Sequence, residues 1–129
     1  MTRAALVLLL LAASAPAVAQ PDWSRAARVE VRLDNFSYAP RTIRLRAGQP
    51  VVLRLVNTAS GGHDFTARAF FDAAEIRAED RAAIDKGGVE VPGGQSREIA
   101  LSPKAGRYPL KCGHAFHKML GMSGEIVVE

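Results

Sequence analysis

The sequence predicts an all-β domain, an antiparallel β-sandwich with one short helical insertion. Three observations lead to this prediction: apolar residues alternate with charged ones, turn residues separate these segments at short intervals, and only one stretch has a helical composition. Such spacing favours an antiparallel sandwich over a parallel sheet between helices. The chain has 129 residues, enough for one compact domain with its own core.

Several segments show the period of two that is typical of half-buried strands. In the first, Val29, Val31 and Leu33 alternate with charged residues, so one face is apolar. The other predicted strands are residues 42–46, 51–57, 97–101, 106–112 and 125–128. Glycine and proline mark the turns between them, at residues 47–50, 92–94 and 103–106.

Residues 71–86 are the exception, because their alanines and charges suit a short amphipathic helix. Ala74, Ile76 and Ile84 would form its apolar side, and Gly87 and Gly88 would end it. We interpret this helix as an insertion over the sandwich. Its alternating acids and bases favour a solvated face over a partner site.

The N-terminus predicts a signal peptide over residues 1–19. Arg3 is followed by an apolar core at residues 4–13, a break at Pro16, and small residues before a cleavage site after Ala19. The apolar run is too short for a membrane span. We therefore expect an exported, periplasmic protein whose mature domain covers residues 20–129.

Charge and cysteine content narrow the classes of function. The formal net charge is +4, and basic residues alternate with acidic ones instead of clustering, so nucleic-acid binding is not expected. Cys112 is the only cysteine and cannot form an internal disulfide. It is therefore a buried thiol, a partner in an intermolecular bridge, or a metal ligand.

Residues 112–122 gather most of the soft ligands of the chain. This stretch holds Cys112, two of the three histidines and two of the three methionines. Two imidazoles and a thiolate with a weak axial thioether form the ligand set of copper that cycles between Cu(I) and Cu(II). Zinc is a weaker candidate, since structural zinc sites use several cysteines or histidines and no thioether.

The predicted metal ligands are His63, Cys112, His117 and Met122. His63 supplies the second imidazole, because it is the only histidine outside the stretch and follows a predicted strand among glycines. An alternative pair is His114 with Met119, which has the same spacing as His117 with Met122. One residue between Cys112 and His114 leaves little chain to turn around a metal, which favours His117.

At these residues the sequence resembles the cupredoxins, the small blue copper proteins that include azurin, pseudoazurin and plastocyanin. The resemblance covers essentially the mature chain, and its most specific part runs from Tyr108 to Val128. It implies a Greek-key sandwich and electron transfer. By position, Cys112 would be the thiolate, His63 and His117 the imidazoles, and Met122 the axial ligand, and the glycines on both sides of Met122 also match the family.

Two departures from the family pattern are visible. The interval from Cys112 to His117 is azurin-like, whereas that from His117 to Met122 is pseudoazurin-like, so the loop is a hybrid. The residue after the first histidine is usually Asn, and here it is Asp64. An ionised Asp accepts hydrogen bonds but cannot donate them, which puts any donation from this side chain in doubt.

The leading hypothesis is a monomeric electron carrier, not an enzyme, that exchanges single electrons with redox partners such as a c-type cytochrome or a copper enzyme. Phe116, Met119 and Leu120 would form a small apolar docking patch or belong to the core. The alternative is a copper carrier or resistance protein that binds and delivers Cu(I), with His114 and Met119 as spare ligands. A copper-free binding module is a third hypothesis, which the complete ligand set disfavours.

Overall fold

Two β-sheets face each other and enclose one apolar core. The structure is a computed structural model that describes residues 12–16, 19–114 and 121–129. Within these residues each sheet has five strands, and short helical pieces lie outside the sheets. The predicted sandwich is therefore confirmed.

The first sheet contains the strands of the N-terminal half and two from the middle of the chain. Its members are β1 (Ala27–Asp34), β2 (Ser37–Ala39), β4 (Val51–Asn57), β6 (Glu75–Ile76) and β8 (Ser96–Ser102). They lie in the order β2-β1-β4-β8-β6. Buried and exposed positions alternate in β1, as its period of two predicts.

The second sheet contains the strands that include or adjoin the predicted ligands His63, Cys112 and Met122. Its members are β3 (Thr42–Leu45), β5 (His63–Thr66), β7 (Gly88–Val91), β9 (Gly106–Lys111) and β10 (Ser123–Val128). They lie in the order β3-β10-β9-β5-β7, so β5, β9 and β10 are consecutive neighbours.

The sheets are mixed, which corrects the prediction of a purely antiparallel sandwich. β1 pairs with β4 in parallel, and β10 pairs with β3 in parallel, while the other pairs among the described strands are antiparallel. The chain leaves the first sheet for β3 and returns for β4, which therefore enters beside β1 in the same direction. Alternating polarity shows which face of a strand is buried but not which strand lies next to it.

All the predicted strand segments are strands in the structure, but four further short strands were not predicted. These are β2, β5, β6 and β7, which have two to four residues each. Such segments are too short for a period of two to stand out from turn composition. The most consequential omission is β5, because His63 is the first residue of this strand and does not lie in a loop.

The predicted helical insertion is present only as short pieces, and a single helix over residues 71–86 is wrong. The segment contains the end of a short helix, α1 (Arg68–Ala73), then β6, and then a 3₁₀ helix (Ala78–Ala83). Ile76 is buried and pairs with Leu101 of β8. The Asp80 carboxylate accepts a hydrogen bond from the Ala100 N–H at 2.9 Å. Because the pairing of Ile76 with the sheet edge requires an extended backbone, it interrupts the helix that the composition favours.

The core joins the inner faces of the two sheets. Phe65 of β5 is fully buried, and its ring lies 6.0 Å from that of Tyr38 and 6.0 Å from that of Phe71, both edge to face. Burying an aromatic or branched aliphatic side chain of this kind contributes about 1.5–3 kcal/mol. The sheet that presents the functional residues is thereby anchored through β5 to the opposite sheet and to α1.

The N-terminal segment is described only in part. Of the predicted signal peptide, residues 1–11 and 17–18 lie outside the described residues, so its cleavage after Ala19 stays a prediction. Among the helices that are described, none combines the length and apolarity that crossing a membrane requires.

Candidate metal centre

Three of the four predicted ligands meet at one end of the second sheet. His63 opens β5, Cys112 directly follows β9, and Met122 directly precedes β10. Since β5, β9 and β10 are neighbours, these positions converge. The Cys112 N–H donates to the Met122 carbonyl at 3.1 Å, which extends the β9–β10 ladder to the two residues.

The side chains of these three residues are sealed from solvent. Cys112 and Met122 have no exposed surface, and His63 is 1% exposed. The Cys112 Sγ lies 4.0 Å from the His63 Nδ1. An imidazole nitrogen, a thiol and a thioether are thus brought together in an apolar pocket of the sandwich.

This arrangement fits one bound metal ion of the soft or borderline class. Taking zinc as a guide, metal bonds of about 2.0 Å to nitrogen and about 2.3 Å to sulfur sum to about 4.3 Å. The observed 4.0 Å is therefore a separation that two donors can have on a single ion. A thiolate with an imidazole and a thioether is also the donor set that copper sites use.

Burial disfavours the ionised form of the thiol. It raises the pKa of Cys112 above its usual value, while the backbone N–H groups of Asp64 and His114 lower this pKa and offset part of the shift. The Asp64 N–H lies 3.5 Å from the sulfur. A bound metal cation would favour the thiolate form of Cys112 despite its burial. The position therefore suits a cysteine that is ionised only when it binds a metal.

Asn57 fixes the loop that precedes His63. Its buried side chain donates to the Gly61 carbonyl at 2.8 Å and to the Val91 carbonyl at 2.9 Å, and it accepts from the Ala59 N–H at 2.9 Å. The imidazole is therefore positioned by a loop whose backbone groups are bound. This role of Asn57 was not predicted, although a polar residue at the end of an apolar strand is a visible signal in the sequence.

The close approach of a second loop also supports this position. A Cβ atom at Gly93 would lie 2.1 Å from the Ser60 carbonyl oxygen, so only glycine fits there. The Gly94 N–H donates to the Ala59 carbonyl at 3.1 Å. The loop after β4 is thus packed directly on the loop after β7.

Asp64 ties β5 to the cysteine segment as an acceptor. Its Oδ1 accepts from the Gly113 N–H at 2.8 Å and from the Thr66 hydroxyl at 2.6 Å. Its backbone carbonyl accepts from the Tyr38 hydroxyl at 2.6 Å. The pKa of Tyr38 is raised, first by burial and then by the charges of Cys112 and Asp64, so this hydroxyl stays protonated and donates. An Asp therefore makes the loop connection without any side-chain donor.

His114 lies on the outer side of this connection. Its Nε2 is 3.1 Å from both carboxylate oxygens of Glu90 and 3.6 Å from the Asp64 Oδ2. One ligand atom from each of Asp64, Cys112 and His114 lies within 4.8 Å of the others. His114 is therefore close enough to Cys112 to remain an alternative ligand, although it contacts carboxylates. Nothing in the sequence pointed to Glu90.

The rest of the predicted loop is not described. Residues 115–120 lie outside the described residues, and with them the predicted ligand His117, the alternative ligand Met119 and the docking residues Phe116 and Leu120. Their roles stay predictions from the sequence.

The family of this chain is established by its sequence. The family profile of the Cupredoxin-like domain matches residues 2–128, and the chain belongs to this family. Together with the architecture described above, this match confirms the predicted cupredoxin-like sandwich. No curated protein sequence matches the chain significantly.

Solved structures of similar fold include small copper proteins and parts of larger ones. A dithionite-reduced auracyanin from Roseiflexus castenholzii has a TM-score of 0.60 at 19% identity, over 81% of this chain and 98% of its own. Auracyanin A, a "blue" copper protein from Chloroflexus aurantiacus, has a TM-score of 0.53 at 21% identity, over 80% and 100%. The McoA multicopper oxidase of Aquifex aeolicus has a TM-score of 0.65 at 17% identity, over 88% of this chain but only 32% of the oxidase.

These similarities concern the fold of the chain. At such low identities the neighbours share the fold with this chain, and full-length coverage is seen with small blue copper proteins. Within that fold, His63, Cys112 and Met122 cluster as in a type-1 copper site.

Proposed function

We propose that this protein is a periplasmic copper protein that carries single electrons between redox partners. The observation that carries the proposal is the buried cluster of His63, Cys112 and Met122 in a cupredoxin-like sandwich. On this proposal residues 1–19 are removed as a signal peptide, and residues 20–129 form the copper-binding domain.

The proposed ligands are His63, Cys112, His117 and Met122. Copper supplies one-electron chemistry by alternating between Cu(I) and Cu(II). Cys112 follows β9, and the other two described ligands belong to its neighbouring strands: His63 opens β5 and Met122 precedes β10. His117 is proposed to complete the set from the loop between Cys112 and Met122. As the ligand nearest the surface, His117 would also be the route for the electron.

In this function the protein fixes the positions of the donor atoms and keeps them away from water. Asn57 fixes the loop before His63, and Asp64 bonds that strand to Gly113, next to Cys112. Donors that are fixed by hydrogen bonds beyond the ligands need little rearrangement when the charge of the ion changes. This favours fast electron exchange over transformation of a substrate.

The proposed partners are redox proteins such as a c-type cytochrome or a copper enzyme. Phe116, Met119 and Leu120 would provide a small apolar contact area around the electron route, and the protein would act as a monomer. Small, weak contact areas are typical of encounters between electron-transfer proteins.

Visible spectroscopy and voltammetry of the copper-loaded protein test this proposal. We expect an intense visible band in the oxidised form at one copper per chain, reversible voltammetry, and slow loss of Cu(I) to a competing chelator at neutral pH. Absence of the band, or sluggish electron exchange combined with fast copper loss, would overturn the proposal.

A copper carrier that delivers Cu(I) is the second candidate. The specific observation in its favour is that a ring nitrogen of His114 lies within 4.8 Å of the Cys112 sulfur, near enough to bind copper during transfer. If this is the function, His114→Ala should slow copper transfer to an acceptor by at least tenfold. An electron carrier should show unchanged transfer in that variant.

A further inference from the structure

We propose that Asp64, Glu90 and His114 form a second metal site, for a divalent transition ion such as Zn²⁺ or Cu²⁺, on the outer face of the second sheet. This site uses none of the buried donors His63, Cys112 and Met122, although one ligand atom from each of Asp64 and His114 lies within 4.8 Å of the Cys112 sulfur. It takes its ligands from β5, from β7 and from the segment after Cys112.

The register of β5 and β7 places two carboxylates side by side. Asp64 of β5 and Glu90 of β7 are directly opposite each other in the antiparallel pair. Opposite residues point to the same face, and like charges in this position destabilise a sheet. The neighbouring pair, His63 opposite Val91, is buried on the inner face, so the two carboxylates share the outer face.

The imidazole of His114 lies against these two carboxylates. Its Nε2 is 3.1 Å from each oxygen of Glu90 and 3.6 Å from the Asp64 Oδ2. A single ring nitrogen carries at most one proton for these three oxygens. Donors on one ion with bonds of about 2.0–2.2 Å are themselves about 3–3.6 Å apart, so a cation could replace the contacts of His114 with the two carboxylates once these side chains rearrange.

Arg68, Lys86 and Lys111 line the same cleft as the two carboxylates but do not pair with them among the described residues. Within the described part of the chain, neither Asp64 nor Glu90 forms an ion pair with a lysine or an arginine. Among the described residues, the basic group against both carboxylates is His114, whose charge depends on its protonation. A divalent cation would balance both carboxylates and remove the repulsion across the strands.

The site is open to ions from solution. It forms one wall of a surface cleft of about 810 Å³. The side chains of Glu90 and His114 are 58% and 36% exposed, and that of Asp64 is 13% exposed. An incoming ion could therefore keep some of its water ligands. Gly62 lies beneath the cluster, where an added Cβ would be 3.0 Å from the Glu90 Oε1.

The donor types select the class of ion. Ca²⁺ and Mg²⁺ are bound by oxygen ligands alone, whereas an imidazole with two carboxylates suits Zn²⁺ and Cu²⁺. The buried set differs because it contains two sulfur donors. The two sites therefore have distinct preferences, and the outer one should bind Zn²⁺ while the inner one retains copper.

Calorimetric titration of Zn²⁺ into the copper-loaded protein tests the proposal. We expect one saturable Zn²⁺ per chain, with affinity lowered at least tenfold in Glu90→Gln and in His114→Ala. Glu98→Gln is the matched control, because this glutamate also lies on a sheet surface but pairs with Arg28 and Arg54 on the other sheet. It should bind Zn²⁺ like the wild type.

The outcomes separate this inference from the proposed function. Zn²⁺ binding that both variants retain, or no saturable binding at all, would overturn the second site. If the protein does not take up copper, the same titration on the metal-free chain still decides, with Cys112→Ser added. Binding that is lost in Cys112→Ser but kept in Glu90→Gln would assign the ion to the buried donors and also overturn the second site.

Discussion

The two faces of β5 show how one short strand serves two chemically different environments. His63 and Phe65 point into the sandwich and have almost no exposed surface, whereas Asp64 and Thr66 point outward and are only half-buried. The inner face offers nitrogen and, from its neighbours, sulfur. The outer face offers oxygen. The alternation of a strand is therefore sufficient to place soft donors and hard donors one residue apart.

The two faces are nevertheless linked through the backbone. The N–H of the outward residue Asp64 lies 3.5 Å from the inward sulfur of Cys112. The carboxylate of Asp64 holds the Gly113 N–H, next to that cysteine. A change on the outer face should consequently be felt inside, but less strongly than a change to the inner face itself.

The largest effect is expected from Cys112→Ser, which removes the thiolate from the inner face. Because charge transfer from thiolate to copper gives such sites their visible colour, this variant should lose the intense band completely. Absorption spectra of the copper-loaded proteins measure this. Thr66→Ala, on the outer face, is the control and should keep the band. A serine variant that retained the colour would refute the assignment of the thiolate.

The loss of stability on substitution should be large for a residue on the inner face of β5 and small for its neighbour on the outer face. Phe65→Ala should lower the free energy of unfolding by about 3–5 kcal/mol, because it empties space in the core between Tyr38 and Phe71. Thr66→Ala should cost about 1 kcal/mol, since it removes one hydrogen bond to Asp64. Urea unfolding of the metal-free proteins measures both. Equal losses would contradict the division into a core face and a surface face.

The coupling between the faces is tested by Asp64→Asn. The amide oxygen can still accept from Gly113, but the negative charge near the sulfur is lost. The reduction potential should therefore rise, on the order of tens of millivolts for a charge at this distance in a partly solvated setting. Voltammetry measures the shift. Asp85→Asn, in the same cleft but outside the cluster, should leave the potential nearly unchanged, and a fall in the Asp64 variant would contradict the argument.

The smallest effect is expected from His114→Ala. Because His114 contacts Glu90 and Asp64 on the outer face, its loss should leave the visible spectrum nearly unchanged. His117→Ala should alter that spectrum strongly, since His117 is the predicted ligand. The opposite pair of results would move the ligand assignment to His114, with Met119 as its partner.

The sequence predicted those parts of the site that residue type reveals. Cys112 and Met122 were identified because sulfur is rare in this chain and its spacing is visible, and the structure brings them together with His63. The opposition of Asp64 and Glu90 could not be predicted, because it depends on the register of two strands separated by the long segment after β5. His117 stays a prediction.

The fold shows the same limit. The strand β4 was predicted with its observed bounds, since the polarity of each residue in it indicates whether that residue is buried. The stretch after α1 was misassigned because its structure depends on a partner distant in the sequence. Ile76 pairs with Leu101, and Asp80 binds the Ala100 N–H, so β8 dictates the backbone conformation there.

That contact has a consequence for how the protein behaves when crowded with copies of itself. An uncovered strand such as β8 would present a row of N–H and C=O groups on which another chain could add a strand. Here the row is interrupted, because β6 covers it with only two residues. Beyond β6, the Arg77 N–H donates to the Ala100 carbonyl, and the Asp80 carboxylate accepts from the Ala100 N–H. This margin of the first sheet thus offers little template for intermolecular strand addition.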